Sequence, residues 1–158
     1  MKLDEVLSTP YKFTILNTDG RDLQATFKLD SDEFITVDFE WWGGPEMFIV
    51  SFRRNGETKL TGEGDALRIF ATVIKIIKTV VDDEEPPFIG FSSTKEEQSR
   101  VSLYYRLARK FAAESDYRLV KNLEDISHRV APLWIKNMAA SIKNSDFIVL
   151  AREELVKT

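Results

Sequence analysis

The hydrophobic period of this chain changes at one place, the turn Lys59-Leu60-Thr61-Gly62-Glu63-Gly64-Asp65-Ala66. Before it, apolar residues alternate with polar ones, as they do in a strand with one buried face. After it they recur at helical spacing. A chain that places a run of strands first and then interleaves helices with strands reads as α+β.

The alternation is clear along the first half. Tyr11 to Leu16 alternates and closes on the turn-forming Asn17-Thr18-Asp19-Gly20. Leu23 to Leu29 is the next strand. Glu33 to Trp41 comes after it, with Phe34 and Thr36 on one side and Ile35, Val37 and Phe39 on the other, and Gly43-Gly44-Pro45 stops it. Met47 to Phe52 resumes, Asn55-Gly56 is a two-residue hairpin signal, and Glu57 to Thr61 is a short return strand. This half reads as an antiparallel meander of about five strands.

The second half begins with a helix over Asp65 to Val81. Its broad apolar stripe includes Leu67, Phe70, Val73, Ile74, Ile77 and Val81, Asp65 is placed to cap it, and Asp82-Asp83-Glu84-Glu85-Pro86-Pro87 ends it. Phe88 to Phe91 reads as a short strand. Thr94-Lys95-Glu96-Glu97 has the form of a capping box, opening a helix to about Glu114 with Val101, Tyr104, Leu107, Ala108 and Phe111 on one face. Tyr117 to Lys121 is a further strand, Leu123 to Ile142 a helix interrupted near Pro132, and Phe147 to Ala151 a closing strand. The unit from Glu57–Thr61 through the first helix to Phe88–Phe91 should make two parallel strands with a right-handed crossover, either as neighbours or splayed apart. The expectation is one domain spanning 1–158: an antiparallel sheet followed by an αβα unit.

Composition removes several classes of function. There is no cysteine, so disulfides and thiolate chemistry are excluded. The single histidine, His128, excludes a His-based metal cluster. Asp38 and Glu40 share a strand face and such a pair can hold a divalent ion, but nothing fixes a third ligand, so they read as a solvated face. Ser92 has no base visible in the sequence. A net charge of -4 argues mildly against nonspecific nucleic-acid binding, and the local basic clusters at Arg53-Arg54 and at Arg106, Arg109 and Lys110 read as solvated faces. The most apolar stretch, Ile69 to Val81, is broken by Lys75 and Lys78 and is too short to span a membrane. With no leader-like start either, the expected location is the cytoplasm.

Two features remain as candidate sites. Gly62 and Gly64 let the backbone turn tightly, and a helix start directly after them adds free N–H groups and a positive dipole end. That is either a seat for a phosphate or a plain strand-to-helix connection. Trp41-Trp42 is the second. Neighbours on a strand face opposite ways, so one Trp can pack inward while the other is presented outward, and exposed Trp is favoured at binding hot spots.

The order of elements resembles the acyl-coenzyme A binding core of the GNAT acyltransferase superfamily, over roughly residues 45–120. That family carries Gln/Arg-x-x-Gly-x-Gly/Ala at the end of a central strand, and Lys59-Leu60-Thr61-Gly62-Glu63-Gly64 is similar, with Lys in first place. A helix, a strand and a helix bearing a Leu-Tyr pair come next, here Leu103-Tyr104. The resemblance implies that Gly62, Gly64 and Asp65 would face the pyrophosphate of acetyl-coenzyme A, with Lys59 or Thr61 adding a contact. Tyr104 would be the general acid that protonates the leaving thiolate. The chain is also similar to small uncharacterised proteins of tailed phages that share a Gly-x-Gly-Asp-Ala turn and an Arg-x-x-Leu-Tyr helix.

The departures from the family bear on function. The two helices that come after the first GNAT strand and shape its acceptor site have no counterpart here, and Glu63 and Asp65 place like charge beside a would-be diphosphate. The leading expectation is therefore a small, non-catalytic GNAT-like protein that works by binding another protein through Trp41 and Trp42. The alternatives are an acyl-coenzyme A dependent N-acyltransferase, and a structural or assembly protein whose sheet edge pairs with another copy.

Overall fold

The computed structural model describes residues 9–43, 46–54, 66–92, 98–121, 126 and 147–156. Along the chain lie strands β1 (Phe13–Asp19), β2 (Asp22–Lys28), β3 (Phe34–Trp42) and β4 (Met47–Arg54), helix α1 (Ala66–Glu84), strand β5 (Phe88–Ser92), helix α2 (Gln98–Ala113), and strands β6 (Tyr117–Leu119) and β7 (Phe147–Arg152). The strands form one seven-stranded sheet in the order β1-β2-β3-β4-β5-β7-β6. β1, β2 and β3 pair antiparallel, as do β5 with β7 and β6 with β7, whereas β4 and β5 run parallel. The protein is thus α+β with a mostly antiparallel sheet. Its residues gather into two compact units, Met1–Glu40 with Ser51–Glu85, and Trp41–Val50 with Pro86–Thr158.

In the first unit the alternation fixes the register. Ala25, Phe27, Ile35, Val37 and Phe39 are buried, while Phe34 is exposed and Thr26, Thr36 and Asp38 are partly so. The β1–β2 turn needs a left-handed residue and has Gly20 there, at φ 55°. The Asn17 amide closes it by donating to the carbonyls of Gly20 (2.8 Å) and Asp22 (3.1 Å). Helix α1 buries Ile69, Val73, Ile76, Ile77 and Val80 on one stripe. Tyr11 ties this helix to the buried sheet face. Its ring stacks on Phe27 at 5.7 Å, and its N–H donates to Thr72 Oγ1 at 2.9 Å. Thr72 is fully buried, and its hydroxyl in turn donates to the Arg68 carbonyl at 2.7 Å.

In the second unit the Met47–Val50 and Phe88–Phe91 stretches are covered on both faces. Met47, Phe48, Ile49 and Val50 are all buried, as are Phe88, Ile89, Gly90 and Phe91 beside them. On one face Met47, Ile49, Phe88, Val149 and Ala151 cluster with Val120 and Ile126, and Leu155 and Val156 pack against them. On the other, Phe91 meets Tyr104 of α2, and Tyr117 of β6 meets Phe111 of α2 at 5.5 Å. The Tyr117 hydroxyl donates to the Pro86 carbonyl.

Several expectations need revision. The sequence leaves open whether Glu57–Thr61 lies beside β5; the described parallel neighbour of β5 is β4, in the register Met47↔Phe88 to Val50↔Phe91. Glu57–Thr61 itself lies outside the described residues, with Asn55-Gly56, Thr94–Glu97 and most of Leu123–Ile142. Helix α1 runs past Val81 to Glu84 because acidic residues continue a helix. It stops where Glu85 turns left-handed (φ 48°) ahead of Pro86, which disfavours helical backbone in the residue before it. Leu67, expected within the apolar stripe, is exposed. Phe147–Arg152 joins the chain's own sheet, between β5 and β6.

Candidate functional site

Lys59, Thr61, Gly62, Gly64 and Asp65 lie outside the described residues, so the phosphate seat remains an expectation from sequence. Tyr104 is described. It sits in the middle of α2 because Leu107, Ala108 and Phe111 continue its apolar face, and it is only 1% exposed. Its ring tilts against Phe91 with centroids 5.7 Å apart. β5, which carries Phe91, has both edges paired, to β4 on one side and β7 on the other. Along Phe88–Phe91, β5 therefore has a hydrogen-bonded neighbour on each side.

Trp41 and Trp42 end β3 and divide as alternation requires. Trp41 is half-buried, its ring edge-on to Phe48 at 4.9 Å. Trp42 is 40% exposed. A large indole is thus presented from a strand whose neighbouring residue is fixed by aromatic packing.

Sequence reasoning missed the ionic clamps of the first unit. Arg54, read as a solvated basic residue, has its side chain only 11% exposed and grips Glu33 with two hydrogen bonds, Nε to Oε2 at 2.9 Å and Nη2 to Oε1 at 2.7 Å. These bonds, with a third from Ser31 Oγ at 3.0 Å, hold the Glu33 carboxyl down to about 2. Arg53 pairs with Asp38 at 3.4 Å, and Asp38 also accepts from Gln24 at 2.9 Å. Arg68 donates to the Thr9 carbonyl at 2.8 Å, reaches Asp30 at 3.3 Å, and lies 3.7 Å from the Tyr11 ring centroid. No periodic signal links partners so far apart in sequence, and these clamps join elements without converging on a cavity. Among the described residues no three His, Cys, Asp or Glu side chains come together as metal ligands, and no helix is long and apolar enough to cross a membrane.

A scan against protein-family models finds no match, and no curated protein matches this chain.

Proposed function

We propose that this chain is a GNAT-like domain, of the kind encoded by tailed phages, that has no acyltransfer role and works by binding another protein through the end of β3. The observation that carries this reading is the Trp41-Trp42 pair, with Trp41 held edge-on to Phe48 and Trp42 40% exposed. An indole that is already held in place loses little freedom on binding and buries a large apolar area, which is why Trp dominates binding hot spots.

Two further features favour binding over catalysis. A GNAT-like reading takes support from the parallel β4–β5 pair with α1 before β5, but β5 is paired on both edges along Phe88–Phe91. Tyr104, the would-be acid, is buried against Phe91, where its ring serves packing. In the acyltransferase alternative the phenol must face the leaving thiolate, whereas the Tyr104 side chain is 1% exposed.

The test is affinity capture with wild-type protein and with Trp42→Ala, then titration of each captured protein in purified form. The reading expects a partner whose affinity falls at least tenfold in Trp42→Ala, about the 1.4 kcal/mol that separates a hot spot from a bystander. Unchanged affinity in both Trp41→Ala and Trp42→Ala removes it.

A further inference from the structure

The two ends of the sheet are built differently. β6, at one end, is three residues long, and shortness alone protects such an edge. β1, at the other end, is seven residues long, and among the described residues no strand pairs with its outer side. Edge strands are ordinarily blunted by a charge, a proline or a bulge in their middle. β1 has neither charge nor proline from Phe13 to Thr18, and its irregularity comes only at the end, between Asn17 and Asp19.

That irregularity sets which side chains share a face. Thr14 pairs with Thr26 and Leu16 with Gln24, so these lie on the outer face with Lys12, two residues before Thr14. Regular alternation would send Asp19 to the opposite face. The register shift instead pairs Asp19 with Asp22, which lies on the face of Gln24 and Thr26. Lys12, Thr14, Leu16 and Asp19 therefore succeed one another along one face, cation at one end and anion at the other.

This order is complementary to itself when reversed. We propose that β1 pairs antiparallel with β1 of a second copy of this chain, across a two-fold axis passing through Ile15 perpendicular to the sheet. Such an axis keeps outer face with outer face. Ile15 then lies opposite its own equivalent, Thr14 opposite Leu16 of the second copy, and Lys12 opposite Asp19 of the second copy. The ion pair forms twice, once at each end, and every pair between is uncharged. An arbitrary extended peptide would satisfy the backbone but has no reason to match both charged ends, so the second copy is the occupant this edge selects. Pairing at β1 requires no partner at Trp42.

The experiment is sedimentation of the full chain over a concentration series, with folding of each variant checked by circular dichroism. The expected result is a reversible dimer. Lys12→Asp or Asp19→Lys, each acting at two symmetric positions, weakens it roughly tenfold, and the double exchange Lys12→Asp with Asp19→Lys restores it to within about threefold. Since the chain has no cysteine, Ile15→Cys should yield a disulfide-linked dimer on mild oxidation, and Thr36→Cys on β3 should not. A monomer at all concentrations, a dimer indifferent to both single charge changes, equal cross-linking at positions 15 and 36, or capture at β1 of an unrelated peptide by a monomer would each overturn the proposal.

Discussion

β3 alternates apolar residues with Thr36, Asp38 and Glu40, whereas Met47–Val50 and Phe88–Phe91 are unbroken apolar runs, and the two are buried differently. Along β3, Ile35, Val37 and Phe39 are buried while Phe34 and Glu40 are exposed, so one face meets the core and the other meets water. Along Met47–Val50 and Phe88–Phe91 every residue is buried, because both faces are covered. The difference teaches where function can reside. A strand with an open face can present side chains such as Trp42 and Leu16. A strand covered on both faces and paired on both edges, as β5 is along Phe88–Phe91, presents no side chain to water.

The sharpest way to break that comparison is a carboxylate scan, since an unpaired buried charge costs several kcal/mol. Phe48→Asp and Ile49→Asp in β4 should both unfold the protein in a thermal melt. In β3, Val37→Asp should do so and Thr36→Asp should not. A folded Phe48→Asp would show that β4 has an open face after all. A smaller effect tests how α1 is tied to the open-faced strands. Thr72→Val leaves the Tyr11 N–H without its acceptor and should cost about 1–3 kcal/mol in denaturant unfolding, with Thr72→Ser restoring most of it. Smaller still, Glu40→Gln on the open face of β3 should fall within about 0.5 kcal/mol of wild type.

The weakest effect concerns the ionic clamp. Glu33 is lowered from its ordinary 4.5 to about 2 by Arg54 and Ser31. A carboxyl with a depressed folded value adds stability that is complete above its unfolded value. That contribution should therefore be full above about pH 4.5 and fade as pH falls toward 2, and Glu33→Gln should flatten stability over this window. An unchanged pH profile in Glu33→Gln would mean the clamp is neutral.

What was legible in the sequence divides along the same line. The alternation of Phe34 to Phe39 gave the face of each residue, because one face is wet and the pattern records it. The runs Met47–Val50 and Phe88–Phe91 gave strands but no faces and no neighbours, because a strand buried on both sides carries no period. Chain order alone then leaves the neighbour of β5 open, and among the described strands β4 takes that place in parallel. The Trp pair was legible from alternation alone. The Arg54–Glu33 and Arg68–Asp30 pairs were not, since an ion pair depends on which turns bring distant residues together.

The central proposal is that the chain acts by binding protein rather than by acyl transfer. Isothermal titration of acetyl-coenzyme A into the purified protein tests it most directly. The account predicts no saturable heat, with any affinity weaker than about 1 mM. Micromolar binding that Gly64→Val abolishes, with the melting temperature unchanged, would contradict it.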